Sequence, residues 1–439
     1  MKSIIKTINR LFKKSIHILF EEGPKALWKA YQEHRKFQKI TLPKIGEPLD
    51  KKSYDTKAAK FYGRTIYERD LIKALTELEK PVVLAISQDN YLEVTGGVQL
   101  TIDKDAKVFL DKGLNFLHIF PYWARNTLDF STGPSYYGIS LNNKLLGFVE
   151  ERTLLDVFNN TIPEKLNSLH IHHTMGFRLS FLDHLLTLNG QNPARFWIHD
   201  FITLCPNCVL LRNDIEFCNA PPLNSNACTI CKYSSIRPKH VEGYVTLFKK
   251  FNLQVIAPSQ FALDFWLDHF PLKGIEGIVK PHGQFIHHPT THKRTPTDPI
   301  KIAFLGFPVF HKGWRTWLKL TDTFCKDSQY QFFLFSNEKK SSAKFKNISV
   351  TVDAEDPKAM VKALRKQQID VAFLWSIWPE TYSYTLEEAL AAGVFVITNP
   401  HSGNIYAQVH DKPYGICLKN EAELMSFFEQ GQLSKYLSG

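Results

Sequence analysis

Outside its first 45 residues this 439-residue chain carries almost no excess of basic charge. Eleven Lys and Arg against Glu21, Glu22 and Glu33 put the opening segment at +8, leaving +3 of the overall +11 for the other 394 residues. The pI of 9.1 is therefore a property of one segment. A nucleic-acid-binding body needs a basic face or stripe, so no nucleic-acid partner is expected. The opening segment also lacks the ~20 apolar residues in a row that span a bilayer. No small-residue cleavage site follows an apolar core, as a secretory signal would require. These absences imply a reducing, cytoplasmic setting. No internal repeat and no low-complexity tract is visible. What is present is an ordinary globular composition, 44% hydrophobic and 22% charged, on a chain long enough for two domains with separate cores.

The chain opens "MKSIIKTINRLFKKSIHILF". At helical spacing Ile4, Ile8, Leu11 and Leu19 share one face, while Lys6, Arg10, Lys13, Lys14 and His17 lie opposite. The expectation for residues 1–45 is a helix lying in a membrane interface, its lysines near anionic headgroups on the inner face of the membrane. The rival reading is an amphipathic helix packed on its own protein.

Residues 46–80 read as a polar connector into a helix, "YERDLIKALTELEK". Beyond it, short apolar runs alternate with amphipathic stretches: "PVVLAIS", "SLHIHH", "RFWIHDF" and "LQVIAPS", then "IKIAFLGF", "YQFFLFS", "IDVAFLWS" and "VFVITNP". Continuous apolar strands separated by helices predict parallel sheets covered on both faces. Two such stretches predict two doubly wound α/β domains, with ligands at the carboxyl ends of the strands. The boundary falls at about residue 290, in the polar, proline-rich "IHHPTTHKRTPTDP".

Two glycine-bearing turns follow strands. "TGGVQ" places Gly96 and Gly97 beyond the first strand, where paired glycines let backbone amides approach an anion. "FLGFPVFHKGW" ends a strand at Gly306, adds Lys312 six residues on, and opens a helix at Gly313-Trp314. A helix N-terminus carries about half a positive charge and free amides, and Lys312 adds a whole charge, which suits a diphosphate. The triphosphate P-loop spacing is absent. In "WPETYSYTLEEALAAGVFVITNP", Glu380 and Glu388 stand with seven residues between them. Over a helix that is ~12 Å of rise, too far to share a proton or flank one glycosidic bond, but right for gripping two ends of a long, polyhydroxylated ligand. Glu387 points ~100° away and reads as a solvent residue. Asp103 and Asp105, in "TIDKDAK", read as a solvated turn rather than a metal site.

Together, "PETYSYTLEEALAAGVFVIT", "TGGVQ", "WIHDF", "VIAPS", "KPHG" and "FLGFPVFHKGW" resemble, in order, the motifs of retaining nucleotide-sugar glycosyltransferases of GT-B fold that carry the E-x7-E signature. The resemblance spans roughly residues 80–410. It implies an acceptor-side domain over 46–290 and a donor-nucleotide domain over 291–439. It places Glu388 on the donor ribose, Glu380 on the donor sugar's hydroxyls and Lys312 on the diphosphate. Gly97, beside Gly96, and the amides of Ser383, Tyr384 and Thr385, near Gly306, belong to the phosphate site. His199 stands by the reacting sugar. It implies transfer of a hexose or deoxyhexose to a glycan or lipid-linked acceptor, in surface-polysaccharide synthesis, without a catalytic divalent metal. One departure stands out: where the family has an Arg after the glycine, this chain has Phe307-Pro308. That departure keeps open a catalytically silent binding or scaffold protein of the same fold.

Five of the seven cysteines fall within 27 residues: Cys205, Cys208, Cys218, Cys228 and Cys231. Two C-x-x-C pairs nineteen residues apart predict a structural zinc site held by four of these five thiolates. Spacing alone selects Cys208; resemblance to polysaccharide-type members selects Cys218. Cys325 and Cys417 read as isolated buried fillers.

Overall fold

The computed structural model describes residues 65–437, apart from 95, 123–126, 130–134, 290–294, 296 and 353–355. The chain divides into two compact units, Met1–Ile66 and Tyr67–Gly439. The basic segment 1–45 and most of the connector after it lie outside the described residues.

The second unit is built on two large sheets. In chain order its strands are β1 Val82–Ile86, β2 Asn115–Pro121, β3 Tyr136–Leu141, β4 Lys144–Glu150, β5 Leu166–Ile171, β6 Ala194–Trp197, β7 Leu211–Arg212, β8 Glu216–Phe217, β9 Leu253–Ala257 and β10 Gly277–Val279, then β11 Ile300–Leu305, β12 Tyr330–Ser336, β13 Lys346–Ser349, β14 Val371–Phe373, β15 Phe395–Thr398 and β16 Gly415–Cys417. The first sheet runs β10-β9-β6-β5-β1-β2-β3-β4 and the second β13-β12-β11-β14-β15-β16, with β7 and β8 forming a separate hairpin. The second sheet is parallel throughout.

Alternating strand residues bury both faces of the second sheet. Ile300, Ile302 and Phe304 pack with Trp317 and Phe324 of the helix Trp314–Phe324, while Ala303 and Leu305 pack with Leu386 and Leu390 of the helix Tyr384–Ala392. Burying one such side chain contributes roughly 1.5–3 kcal/mol, so helices on both faces are what lets these strands be apolar on both.

Two expectations need correction. The first sheet is not all parallel: β3 pairs antiparallel with both β2 and β4. The turn between β3 and β4 is Asn142-Asn143, at φ 49° and 64°, the left-handed pair that a tight hairpin requires. Asp103 and Asp105 do not sit in a solvated turn. They lie on the helix Gly97–Asp111, where Asp105 is buried.

Each sheet has a switch point where the chain turns back to extend the other side. In the first sheet it lies between β1 and β5, and in the second between β11 and β14. The segments leaving β1, β6, β11 and β14 carry Gly96 and Gly97, His199, Gly306 with Lys312, and Glu380 with Glu388.

Candidate functional site

The 3₁₀ turn Phe310–Lys312 follows β11, and the loop after β14 leads to Glu380. They meet: Lys312 Nζ lies 3.3 Å from Glu380 Oε1. The Glu380 carboxylate is 3% exposed and also accepts from the Ser376 hydroxyl. Its backbone is held too, since Asn404 N donates to Glu380 O at 2.8 Å and Glu380 bridges to Gly403. A buried carboxylate needs such partners to remain charged.

Glu388 lies on the helix Tyr384–Ala392, whose N-cap Ser383 accepts from Leu386 N. Burial first, and Glu387's charge second, push the Glu388 carboxyl up to about 8, while Lys312 pulls the other way. Lys312 thus acts electrostatically on both glutamates, one by direct contact and one at longer range. Glu387 is not a solvent residue: it accepts from Tyr382 OH at 2.6 Å and sits against Gly283. Capping by Ser383 leaves the amides of Tyr384 and Thr385 in the first turn, where anions bind.

The glycines come to the same place. A β-carbon on Gly97 would stand 3.4 Å from the Tyr384 ring, and one on Gly306 would stand 3.3 Å from Thr385 Cγ2. Gly96 caps the N-terminus of the helix Gly97–Asp111. Thr101 Oγ1 and Tyr384 OH are 3.0 Å apart, so the first-sheet glycine loop and the second-sheet helix are tied at this point. Phe307, in the position of the missing arginine, is 40% exposed. Lys280 pairs with Asp105 at 3.2 Å, and Lys104 lies over the Tyr384 ring at 5.3 Å.

His199 follows β6. Its carbonyl accepts from Thr381 Oγ1 at 2.5 Å, which puts it one residue from Glu380. Its ring packs beside those of Trp197 and His282, centroids 5.5 and 5.2 Å away, and its Nε2 faces His172 Nδ1 at 3.1 Å. Burial, then the neighbouring His282 and His173, hold His199 well below the ordinary histidine value, so it is neutral near pH 7. Sequence reasoning missed Ser376, His311 and the Tyr382–Glu387 bond, because single polar residues in loops carry no periodic signal.

Behind His199 lies a second polar group. Asp105, His170 and His172 offer ligand atoms within 4.8 Å of one another, the one such set found among the described residues. Arg195 Nη1 donates to His170 Nε2 at 3.1 Å, which spends that lone pair because a guanidinium only donates. Arg195 and Lys280 also leave this pocket cationic, and that opposes a divalent ion.

The five cysteine thiols divide. Burial pushes Cys205 up to about 12, and nearby Cys218 and Cys231 add to the rise. Cys218 is raised chiefly by burial, with Cys231 and Cys228 also raising it. Cys208 turns instead to the Asp200 carboxylate. Cys228 Sγ accepts from Arg237 Nη1 at 3.0 Å. Cys205, Cys218, Cys228 and Cys231 thus neighbour one another, while Cys208 neighbours both Asp200 and Cys205.

No family model matches the sequence, and no curated protein matches it. Solved structures do. The GtfA/B complex is similar at 8% identity and TM-score 0.51, over 82% of this chain and 93% of that one. Anabaena Alr3699/HepE in complex with UDP and glucose is similar at 12% identity and TM-score 0.46, over 81% and 91%. The pneumococcal O-GlcNAc transferase GtfA in complex with UDP and GlcNAc is similar at 9% identity and TM-score 0.47, over 81% and 94%. At these identities the likeness is one of fold, and the fold is GT-B: two Rossmann-like α/β halves in one chain.

Proposed function

We propose that this chain is a retaining glycosyltransferase that moves a hexose or deoxyhexose from a nucleotide-diphosphate sugar to a glycan or lipid-linked acceptor. The observation that carries the reading is the convergence of Lys312 with Glu380 by contact and with Glu388 through its field. Glu388 would accept from the ribose hydroxyls, and Glu380 from the hydroxyls of the transferred sugar. Departure of the nucleotide diphosphate builds charge on its oxygens; Lys312 and the amides of Tyr384 and Thr385 are preorganised to meet it. Neutral His199, one residue from the Glu380 loop, would line the sugar end. The acceptor hydroxyl attacks from the face the diphosphate leaves: its oxygen bonds to the anomeric carbon as the bond from that carbon to the diphosphate oxygen breaks, and its proton passes to the departing oxygen. A role in surface-polysaccharide synthesis, at the inner membrane face through residues 1–45, belongs to the same proposal. Among the described residues no helix is long and apolar enough to cross a membrane.

A donor screen following nucleotide-diphosphate release tests this. Measured at pH 9, where Glu388 is ionised, Glu388→Ala should raise the donor KM about 10- to 100-fold, the weight of hydrogen bonds to a charged group, with kcat less affected. Release that is the same in Glu388→Ala, or absent with every donor, would end the reading in favour of a ligand-binding protein. pH gives a second handle. A diol is bound best by the ionised carboxylate, and Glu388 is protonated below about 8. Donor KM should therefore fall as pH rises, about 30-fold between pH 6.5 and 9 if only the ionised form binds. Glu388→Gln should flatten this profile.

Zinc is the remaining proposal. Four of Cys205, Cys208, Cys218, Cys228 and Cys231 would hold it, and its binding energy would be folding energy for the loop after His199. Metal analysis of the purified protein should find about one zinc per chain; a value well below that rejects it.

A further inference from the structure

A cavity of about 690 Å³ lies between the β7–β8 hairpin and the second sheet, within the size range of ligand pockets. The nucleotide side of the proposed donor site contributes nothing to it: neither Glu388, Gly97 nor Gly306 lines it. Its walls nevertheless abut the sugar end. Gly313 lines it and follows Lys312 directly. Asn399 lines it, and its Nδ2 donates at 2.9 Å to the carbonyl of Ser376, whose hydroxyl holds Glu380. Ile377 lines it, and its N–H donates at 3.0 Å to the carbonyl of His311. A molecule in this cavity is thus one residue away from the groups that would grip the transferred sugar.

The opposite wall is the hairpin that runs between Cys208 and Cys218. Phe217 reaches across to His401 of the second sheet's loops, ring centroids 6.5 Å apart. The hairpin is braced from behind. Asp214 accepts from Asn207 Nδ2 at 2.9 Å and Tyr233 OH at 2.6 Å, and Asn213 Oδ1 accepts from Lys232 N at 2.8 Å. The cysteine module is therefore the scaffold for one side of the cavity, a use the sequence did not suggest. Phe217 and Phe310 supply flat apolar faces; Arg315, Lys319, Lys419 and Asn420 supply polar groups among them. Flat rings beside spaced polar groups suit a molecule with apolar C–H faces and many hydroxyls.

We infer that this cavity is the acceptor subsite, and that it takes an oligosaccharide whose terminal hydroxyl points past Gly313 toward Glu380. The inference rests on the glycosyltransferase reading and adds to it the location and the residues of acceptor binding. The volume is more than one sugar unit needs and the nucleotide is accommodated elsewhere, so a chain of sugars is the fitting occupant.

Two variants test it, Phe217→Ala on the hairpin and Arg315→Ala on the exposed face of the helix Trp314–Phe324. Wild type and both variants are applied to a glycan array, and each is titrated with a panel of nucleoside diphosphates by calorimetry. The expected result is glycan binding by the wild type that weakens at least tenfold in both variants, with nucleotide affinity unchanged within twofold. Glycan binding equal in all three proteins, or none by the wild type, overturns the inference while intact nucleotide binding keeps the enzyme reading. Absence of nucleotide binding in the wild type overturns both.

Discussion

Lys312→Met is expected to lower kcat by about 10²–10³, the cost typical of removing one preorganised donor from a developing oxyanion. The cation stands 3.3 Å from Glu380 and within electrostatic reach of Glu388. Its loss also leaves the Glu380 carboxylate, 3% exposed, with the Ser376 hydroxyl as its neighbour. Breaking a fully buried pair on one side costs ~3–5 kcal/mol. The Lys312 side chain is 27% exposed, so water shares the charge and the stability loss should be well below that range. The two effects can be separated. Adding Glu380→Gln removes the orphaned charge, so the double variant should recover thermal stability while kcat stays low. A kcat within threefold of wild type for Lys312→Met would show that the lysine is a structural partner of Glu380 and nothing more.

Gly313→Ala should lower Tm by about 6–12 °C, taking ~3 kcal/mol at 2–4 °C per kcal/mol for a domain of this size. Gly313 sits at φ +83°, and a β-carbon there would stand 2.1 Å from the Trp375 carbonyl oxygen. The left-handed conformation alone costs an alanine ~1–2 kcal/mol; the rest comes from pushing β14's exit loop away from the turn that carries Lys312. Gly113 isolates the first contribution. It has φ +76° but nothing within 4 Å of the added carbon. Gly113→Ala should therefore show only the backbone cost, a few degrees at most, by thermal denaturation. Equal shifts at the two positions would mean that the Trp375 contact is relieved without consequence. Because Gly313 joins Lys312 to its helix, Gly313→Ala should also reduce kcat, whereas Gly113→Ala should not.

The strands of the second sheet were legible because their apolar runs have a simple cause. Ile302, Phe304, Val371 and Val396 are fully or almost fully buried between two helical layers, and a polar side chain there would need its own hydrogen-bond partner. β3 and β4 were not legible. Neither shows an apolar–polar alternation, and the signal that could have revealed them was the Asn142-Asn143 turn rather than any periodicity. Asp105 was misread for a related reason. Its lysine-rich neighbours suggested solvent, but a helix turns its residues to different sides, and Asp105 faces inward to Lys280 while Lys107 faces out to Asp103. Glu387 was misread as solvent because nothing local announces Tyr382 and Gly283 as its neighbours.

By itself the sequence determined the central strands of both sheets, the two α/β halves, the glycine turns and the separation of Glu380 from Glu388. These follow from local chemistry: apolar periodicity, helix rise and the backbone freedom of glycine. Only the tertiary structure decided that Lys312 touches Glu380 and merely influences Glu388. It alone brought Tyr384 to Gly97 across 287 residues of chain, set Cys208 beside Asp200, and carried Phe217 over to the second sheet. Such meetings depend on which strand ends lie side by side at a switch point, and sheet order is set by packing across the whole chain rather than by any neighbouring residue.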